Sequence, residues 1–246
     1  MINITTHYFD KVTSTNDLLK EAALQGFPCG TLYVAGSQEA GRGRMGRSFY
    51  SPQNTGLYMS LLLHRNQIPY DIRLLTAQTA VALAITLDRR FGVDTDIKWV
   101  NDIYLDGRKV AGILCEGVFG STGHCAIIGI GVNINTVLWP PEIQGRAGSL
   151  GTTLFTTEDK IHLAQQICDC ILETVSNPNS NWLDQYRSRS ILTGQTVDVY
   201  PVADGSVAFS AQVKGIDQEA NLVVVDSLGQ EIHLFSGEVS VRPQSK

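Results

Sequence analysis

The dipeptide Asp106-Gly107 most constrains how this chain can fold. It lies between two apolar runs, Ile103-Tyr104-Leu105 and Val110-Ala111-Gly112-Ile113-Leu114. A tight primed turn needs positive φ at its centre, and Asp-Gly supplies it, so the two runs read as arms of an antiparallel hairpin. Residues 126–134 (AIIGIGVNI) read as a further, central strand, and 56–63 (GLYMSLLL) as a buried one. Shorter strands are predicted over 7–12 and 31–35, and another starts at 97–99. Helical spacing falls on 14–26, where Ser14 to Asp17 supply cap-type residues and Gly26 a stop. It falls again on 71–90, 158–175 and 182–190, while 37–52 and 140–157 read as loops.

After about residue 191 the pattern changes. Five short strands (196–200, 207–215, 222–226, 231–235 and 239–242) are separated by Gly, Asp and Asn turns, which suggests a small barrel. The expected layout is an α+β domain over 1–190, with a mixed or antiparallel sheet and packed helices, followed by an all-β module over 191–246. A length of 246 residues fits one large domain with a small appendage.

Charge narrows the function. Nineteen Lys and Arg against 24 Asp and Glu give a net charge of −5, which argues against a general nucleic-acid coat protein. No apolar run reaches the roughly 18 to 20 residues a membrane span needs. The first residues, MINITTHYFDK, carry no secretory pattern. Five cysteines, with no Cys-x-x-Cys, read as small buried hydrophobes in a reducing cytoplasm rather than as a disulfide or metal framework.

Four segments carry chemistry. Gly41-Arg42-Gly43-Arg44-Met45-Gly46-Arg47 packs three Gly and three Arg into seven residues with no acid. Glycine lets backbone N–H groups approach an anion, and arginine offers a planar fork to phosphate or carboxylate oxygens. Such a loop is expected to be mobile when empty, its cations having nothing to pack against, and to order around a polyanion. The competing readings are a solvated basic loop and an arginine-glycine RNA-binding segment. The single cluster, the lack of interleaved aromatics and the negative net charge disfavour the second.

Lys98-Trp99-Val100-Asn101-Asp102 is the second segment, and the hairpin is expected to return Lys109 beside Asn101 and Asp102. A Lys there can hold phosphate or an activated carboxylate, although a salt-bridged exposed hairpin has the same signature. Ser14-Thr15-Asn16, with Gln38, offers hydroxyls and amides to a neutral polar head, and helix capping accounts equally for the first three. Gly129-Ile130-Gly131-Val132-Asn133 places two glycines in a β-branched strand, which marks close approach by a ligand or another element, with Asn133 expected to keep a free amide.

Taken in order, these segments resemble the biotin protein ligases over about residues 7–135. The resemblance rests on Ser14-Thr15-Asn16, the run from Gln38 to Arg47, Lys98 to Asp102, Lys109-Val110-Ala111-Gly112-Ile113-Leu114, and Gly129 to Asn133. It departs at Val100, where the family usually has Pro, and at Phe49, commonly Trp. Val100 is expected to relax the turn before Asn101.

The resemblance implies a class II synthetase-like catalytic domain with an SH3-like C-terminal barrel. It implies ATP and biotin as substrates, joined to biotinyl-5′-AMP with release of pyrophosphate, with Mg²⁺ as cofactor. The biotinyl group then passes to a lysine of a biotin carboxyl carrier protein, such as that of acetyl-CoA carboxylase. Catalytic roles fall to Lys109, Arg42 and Arg44. Biotin binding falls to Ser14, Thr15, Asn16, Gln38, Gly41, Arg42, Arg44, Lys109 and Gly112. Nucleotide binding falls to Arg42, Gly43, Arg44, Met45, Gly46, Arg47, Trp99, Asn101, Lys109, Gly131 and Asn133, and metal contact to Asp102. Ser14-Thr15-Asn16 lies close to the first residue, so a monofunctional cytoplasmic ligase is expected, with no DNA or membrane partner, as monomer or homodimer. The nearest alternative is a lipoate or octanoyl protein ligase, and the intact arginine-glycine loop is the discriminator, which fits the biotin branch.

Overall fold

Local capping chemistry fixes where the helices begin. In the computed structural model, which describes residues 2–68, 71–120, 123–151, 156–201, 207–235 and 239–243, strand β1 (Thr5–Phe9) leads to helix α1 (Thr15–Leu24), capped by the Ser14 side chain. Strands β2 (Thr31–Ala35) and β3 (Gly56–His64) precede helix α2 (Ile72–Phe91). Asp71 caps α2 through the Arg73 amide, and Gly92 ends it in the left-handed region at φ 66°. Strands β4 (Asp96–Lys98), β5 (Asp102–Leu105), β6 (Arg108–Gly120) and β7 (Gly123–Asn133) follow. Asp106 and Gly107 take φ of 51° and 73°, the primed turn the dipeptide predicts. Helix α3 (Thr157–Ser176) opens with a reciprocal capping box between Thr156 and Asp159, and helix α4 (Trp182–Ser188) follows.

The first seven strands form one mixed sheet in the order β1-β2-β3-β7-β6-β5-β4. Only β1 and β2 run parallel; every other pair is antiparallel. All nine residues of β3 are buried, because both faces of the sheet are covered. Leu57, Met59, Leu61 and Leu63 join the large core shared with α2 and α3, while Leu62 packs with Leu19, Ala22 and Ala23 of α1. Strand alternation then puts Ser60 of β3 and Gly129 and Gly131 of β7 on the α1 side, with Gly112 of β6.

Strands β8 (Thr196–Pro201), β9 (Phe209–Ile216), β10 (Leu222–Val225), β11 (Glu231–Leu234) and β12 (Val239–Pro243) form a small antiparallel sheet in the order β11-β10-β9-β8-β12. It joins the large core through Val197, Val199, Val213 and Leu222, among others. Several boundaries differ from the sequence reading, and β6 and β7 run several residues beyond the apolar cores read for them. The first ladder runs over Thr5–Phe9 rather than 7–12, and Val12 makes only an isolated bridge to Gln38. The last helix ends at Ser188, and the chain then bridges Ser190 to Ile97. Part of the expected 140–157 loop, residues 152–155, lies outside the described residues. The five cysteines are free, with Cys29, Cys125 and Cys168 buried and the other two partly so. No helix among the described residues is long and apolar enough to cross a membrane.

Candidate functional site

A cavity of about 490 Å³ opens on the α1 side of the sheet. Four separate segments converge on it, so the motifs read independently from the sequence share one wall. Gly41 and Gly46 are the only predicted site residues that do not line it. Gly46 has φ 71° and shapes the loop, while a Cβ on Gly41 would overlap the Phe49 carbonyl and the Ser51 hydroxyl.

At one end, neutral side chains form a hydrogen-bonded relay. The Thr15 backbone N–H and hydroxyl donate to Gln38 Oε1 at 2.9 and 3.1 Å, and Gln38 Nε2 donates to Ser51 Oγ at 3.0 Å. The Ser60 hydroxyl lies 2.7 Å from Thr15 Oγ1 and 2.6 Å from Asn16 Oδ1. Capping and cavity roles coexist at Ser14, whose Oγ accepts from the Asp17 amide at 3.4 Å while the residue lines the cavity.

The arginine-glycine loop closes on itself. Gly43 N–H donates to the Arg47 carbonyl at 2.7 Å, Arg42 bridges Ser48, and Met45 takes φ 56° at the tip. The expectation that its cations lack packing partners is corrected. Arg42 Nη1 donates to Asp17 Oδ1 at 2.5 Å, and Arg44 Nη1 reaches Asn101 Oδ1 at 3.3 Å. Burial pushes the Arg44 guanidinium below its ordinary pKa, with Asp102 acting in the opposite sense. Both arginines nevertheless stay cationic, because a guanidinium starts far above neutral.

The hairpin delivers Lys109 as its turn requires. Lys109 Nζ lies 2.6 Å from Asp102 Oδ1. Asn101 Nδ2 donates to the Ile113 carbonyl at 2.8 Å and so fixes the start of β5 against β6. Val100 is buried, and its carbonyl accepts from the Tyr186 hydroxyl at 2.9 Å. Trp99 Nε1 donates to the Ala220 carbonyl at 3.0 Å, tying the small sheet to this segment.

On β7 one expectation holds and one changes. A Cβ at Gly129 would overlap the Asn16 side chain, and one at Gly131 would overlap the Phe49 ring. Here the close approach is made by other parts of the chain, one of the two alternatives the sequence leaves open. Asn133 does not keep a free amide. Its Nδ2 donates to the Gly148 carbonyl at 3.0 Å, and its Oδ1 is buried without a protein partner.

Sequence reasoning passed over several residues at the cavity. In the sequence Phe49 shows only as an aromatic following the loop. Tyr50 and Trp139 pair across the mouth with ring centroids 6.2 Å apart, and Arg146 adds a cation. Trp139 before Pro140-Pro141 was the available signal. Val241, from β12, carries no signal at all.

A magnesium ion can be tested against the donors present. Among the described residues, Asp102 is the only carboxylate lining the cavity, and no cluster of three His, Cys, Asp or Glu occurs. That set suits an ion held largely by phosphate oxygens with one carboxylate, as magnesium usually is, rather than a protein-built cage.

A mixed sheet with α1 on one face, α2 and α3 on the other, and a cavity at the α1 side is an α+β arrangement that matches solved protein ligases. The structure superposes on biotin protein ligase from Aquifex aeolicus in complex with biotin and ATP with a TM-score of 0.81 and 25% identity, covering 98% of this chain and 99% of that one. The chain belongs to the biotin/lipoate A/B protein ligase family, whose model matches residues 8–133. It is 39% identical over 167 residues to the bifunctional ligase/repressor BirA of Bacillus subtilis, which covers 66% of this chain and 51% of that protein. It is 28% identical over 236 residues to the biotin--[acetyl-CoA-carboxylase] ligase of Mycobacterium tuberculosis, covering 90% of this chain and 86% of that one. The chain thus spans about half the length of the first of these curated relatives.

Proposed function

We propose that this chain is an ATP-dependent biotin protein ligase. It activates the biotin carboxylate to biotinyl-5′-AMP, releases pyrophosphate, and transfers the biotinyl group to a lysine of a biotin carboxyl carrier protein. One observation carries the reading: a single cavity joins a neutral hydrogen-bonding end to a cationic end. A ureido ring is a compact neutral head that needs donors and acceptors, which Ser14, Thr15, Asn16 and Gln38 supply. A carboxylate and an α-phosphate repel each other, and Arg42, Arg44, Arg47 and Lys109 offset that repulsion and stabilise charge developing on transfer. The named complex of the Aquifex protein and the name of the mycobacterial relative support the same substrates.

Lys109 is assigned the place nearest the reacting carbonyl, with Asn101 beside Arg44 on the nucleotide side. Asp102, together with phosphate oxygens, would hold magnesium, which neutralises phosphate charge. The segment 41–47 excludes water from the mixed anhydride, which hydrolyses when exposed. We read residues 1–190 as the catalytic domain and 191–246 as an SH3-like module.

The test is incubation with biotin, Mg-ATP and a carrier domain, followed by mass spectrometry. A gain of one biotinyl group on a carrier lysine is expected. Modification with lipoate or octanoate in place of biotin would assign the chain to the other branch of its family.

A further inference from the structure

Glu116 is absent from every motif that led to the site and does not line the cavity, yet it terminates the relay at the cavity's neutral end. It sits on β6 with its side chain only 20% exposed. Its Oε2 accepts from Asn16 Nδ2 at 2.8 Å, and its Oε1 accepts from Lys20 Nζ at 2.5 Å, with Arg42 Nη2 at 4.0 Å from the same oxygen. The Asn16 amide nitrogen also lies 3.4 Å from the Leu114 carbonyl.

An ionised carboxylate only accepts, so Asn16 must turn its NH₂ toward Glu116. Its carbonyl oxygen is thereby turned to Ser60 Oγ, 2.6 Å away, in the space that Gly129 leaves for it. A carbonyl oxygen has two lone pairs, and Ser60 uses one at most. The other remains for an N–H donor. With the amide reversed, Asn16 would present N–H groups where a ureido head presents its own.

We propose that Glu116 is a positioning residue for ligand selection: it sets the donor–acceptor polarity of Asn16, so that the cavity accepts a hydrogen bond from a ureido N–H. Through Lys20 and Arg42 the same carboxylate ties this end of the cavity to the arginine-glycine loop. The proposal rests on the biotin reading above and deepens it.

Glu116→Gln keeps the shape but removes the acceptor-only character, since its amide can donate to Asn16 Oδ1 and reverse it. Loss of one hydrogen bond to a charged group predicts a roughly tenfold rise in the KM for biotin. The kcat of pyrophosphate release should stay within about threefold, and the KM for ATP should be unchanged, because the effect lies in ground-state binding. In an Asn16→Ala background, the same Glu116→Gln change should alter the biotin KM by less than about twofold, because the two act as one unit. Thermal midpoints of all variants report that they are folded.

Equal effects in both backgrounds, or a loss in kcat with an unaltered biotin KM, would overturn the role of Glu116. Activation is first measured on the unaltered protein with biotin and with octanoate. A wrong acid shows there and defeats the functional reading, whereas a wrong role for Glu116 shows only in the variants.

Discussion

The large sheet and the small C-terminal sheet meet the cavity in opposite ways. The first supplies side chains: a relay from α1 and β3, cations from the 41–47 loop, and a Lys–Asp pair from the β5–β6 hairpin. The second supplies mostly backbone. Its Ala220 carbonyl takes the Trp99 indole proton, its Ile216 carbonyl accepts from Arg187 Nε at 2.9 Å, and Val241 alone among its described residues reaches the cavity wall. Charge divides along the same line. Residues 191–246 hold three basic against seven acidic residues, while residues 1–190 are nearly balanced at 16 against 17. Side chains that carry chemistry leave a signature in the sequence, whereas carbonyl groups that hold a site in place leave none.

The sharpest break of this contrast is Lys109→Ala. If the large sheet carries the chemistry, removing the charge opposite Asp102 should lower adenylate formation by about 100-fold or more, measured as pyrophosphate release. Normal release would take Lys109 out of the mechanism. Next is Gly131→Ala, which forces a methyl group into the Phe49 ring. Overpacking of this kind costs about 1–3 kcal/mol, read as a lower midpoint in urea unfolding. Trp99→Phe probes the opposite region. It strands the buried Ala220 carbonyl and should cost about 1–2 kcal/mol, with faster proteolysis after residue 191.

The smallest effect lies wholly within the small sheet. His233 Nδ1 sits 2.7 Å from Asp217 Oδ2 and its Nε2 3.6 Å from Glu231 Oε1, and Glu231 is itself paired with Lys214. The hydrogen bond to Asp217 raises the His233 pKa from its ordinary value. The resulting stabilisation is therefore full below about pH 6.5 and fades as pH rises through the raised folded value. Thermal midpoints of the wild type and His233→Gln should differ most in mild acid and converge in alkali. A gap that widens with pH would reverse the assignment.

Most of the fold was legible because its signals are local. The Asp106-Gly107 turn, the Ser14 and Asp71 caps, and the all-apolar run of β3 each name their own structure. The candidate site was legible wherever a motif combined charge or amide groups with glycine. Readings went astray where the answer depended on distant partners. Nothing near Arg42 in sequence announces Asp17, and nothing near Asn133 announces the Gly148 carbonyl. Phe49 was visible as an aromatic, but its seat over Gly131 depends on a strand more than eighty positions later.

The glycines at 112, 129 and 131 give the cavity a floor of bare main chain. Such a floor offers selection nothing to adjust. Any added atom at 129 or 131 enters space that Asn16 or Phe49 already fills, and at 112 it meets the Lys109 ammonium at 3.1 Å. Adaptation of this pocket to a different acid therefore falls to its side chains, to Asn16 with Glu116 behind it and to Tyr50, Trp139 and Arg146 on loops that tolerate exchange.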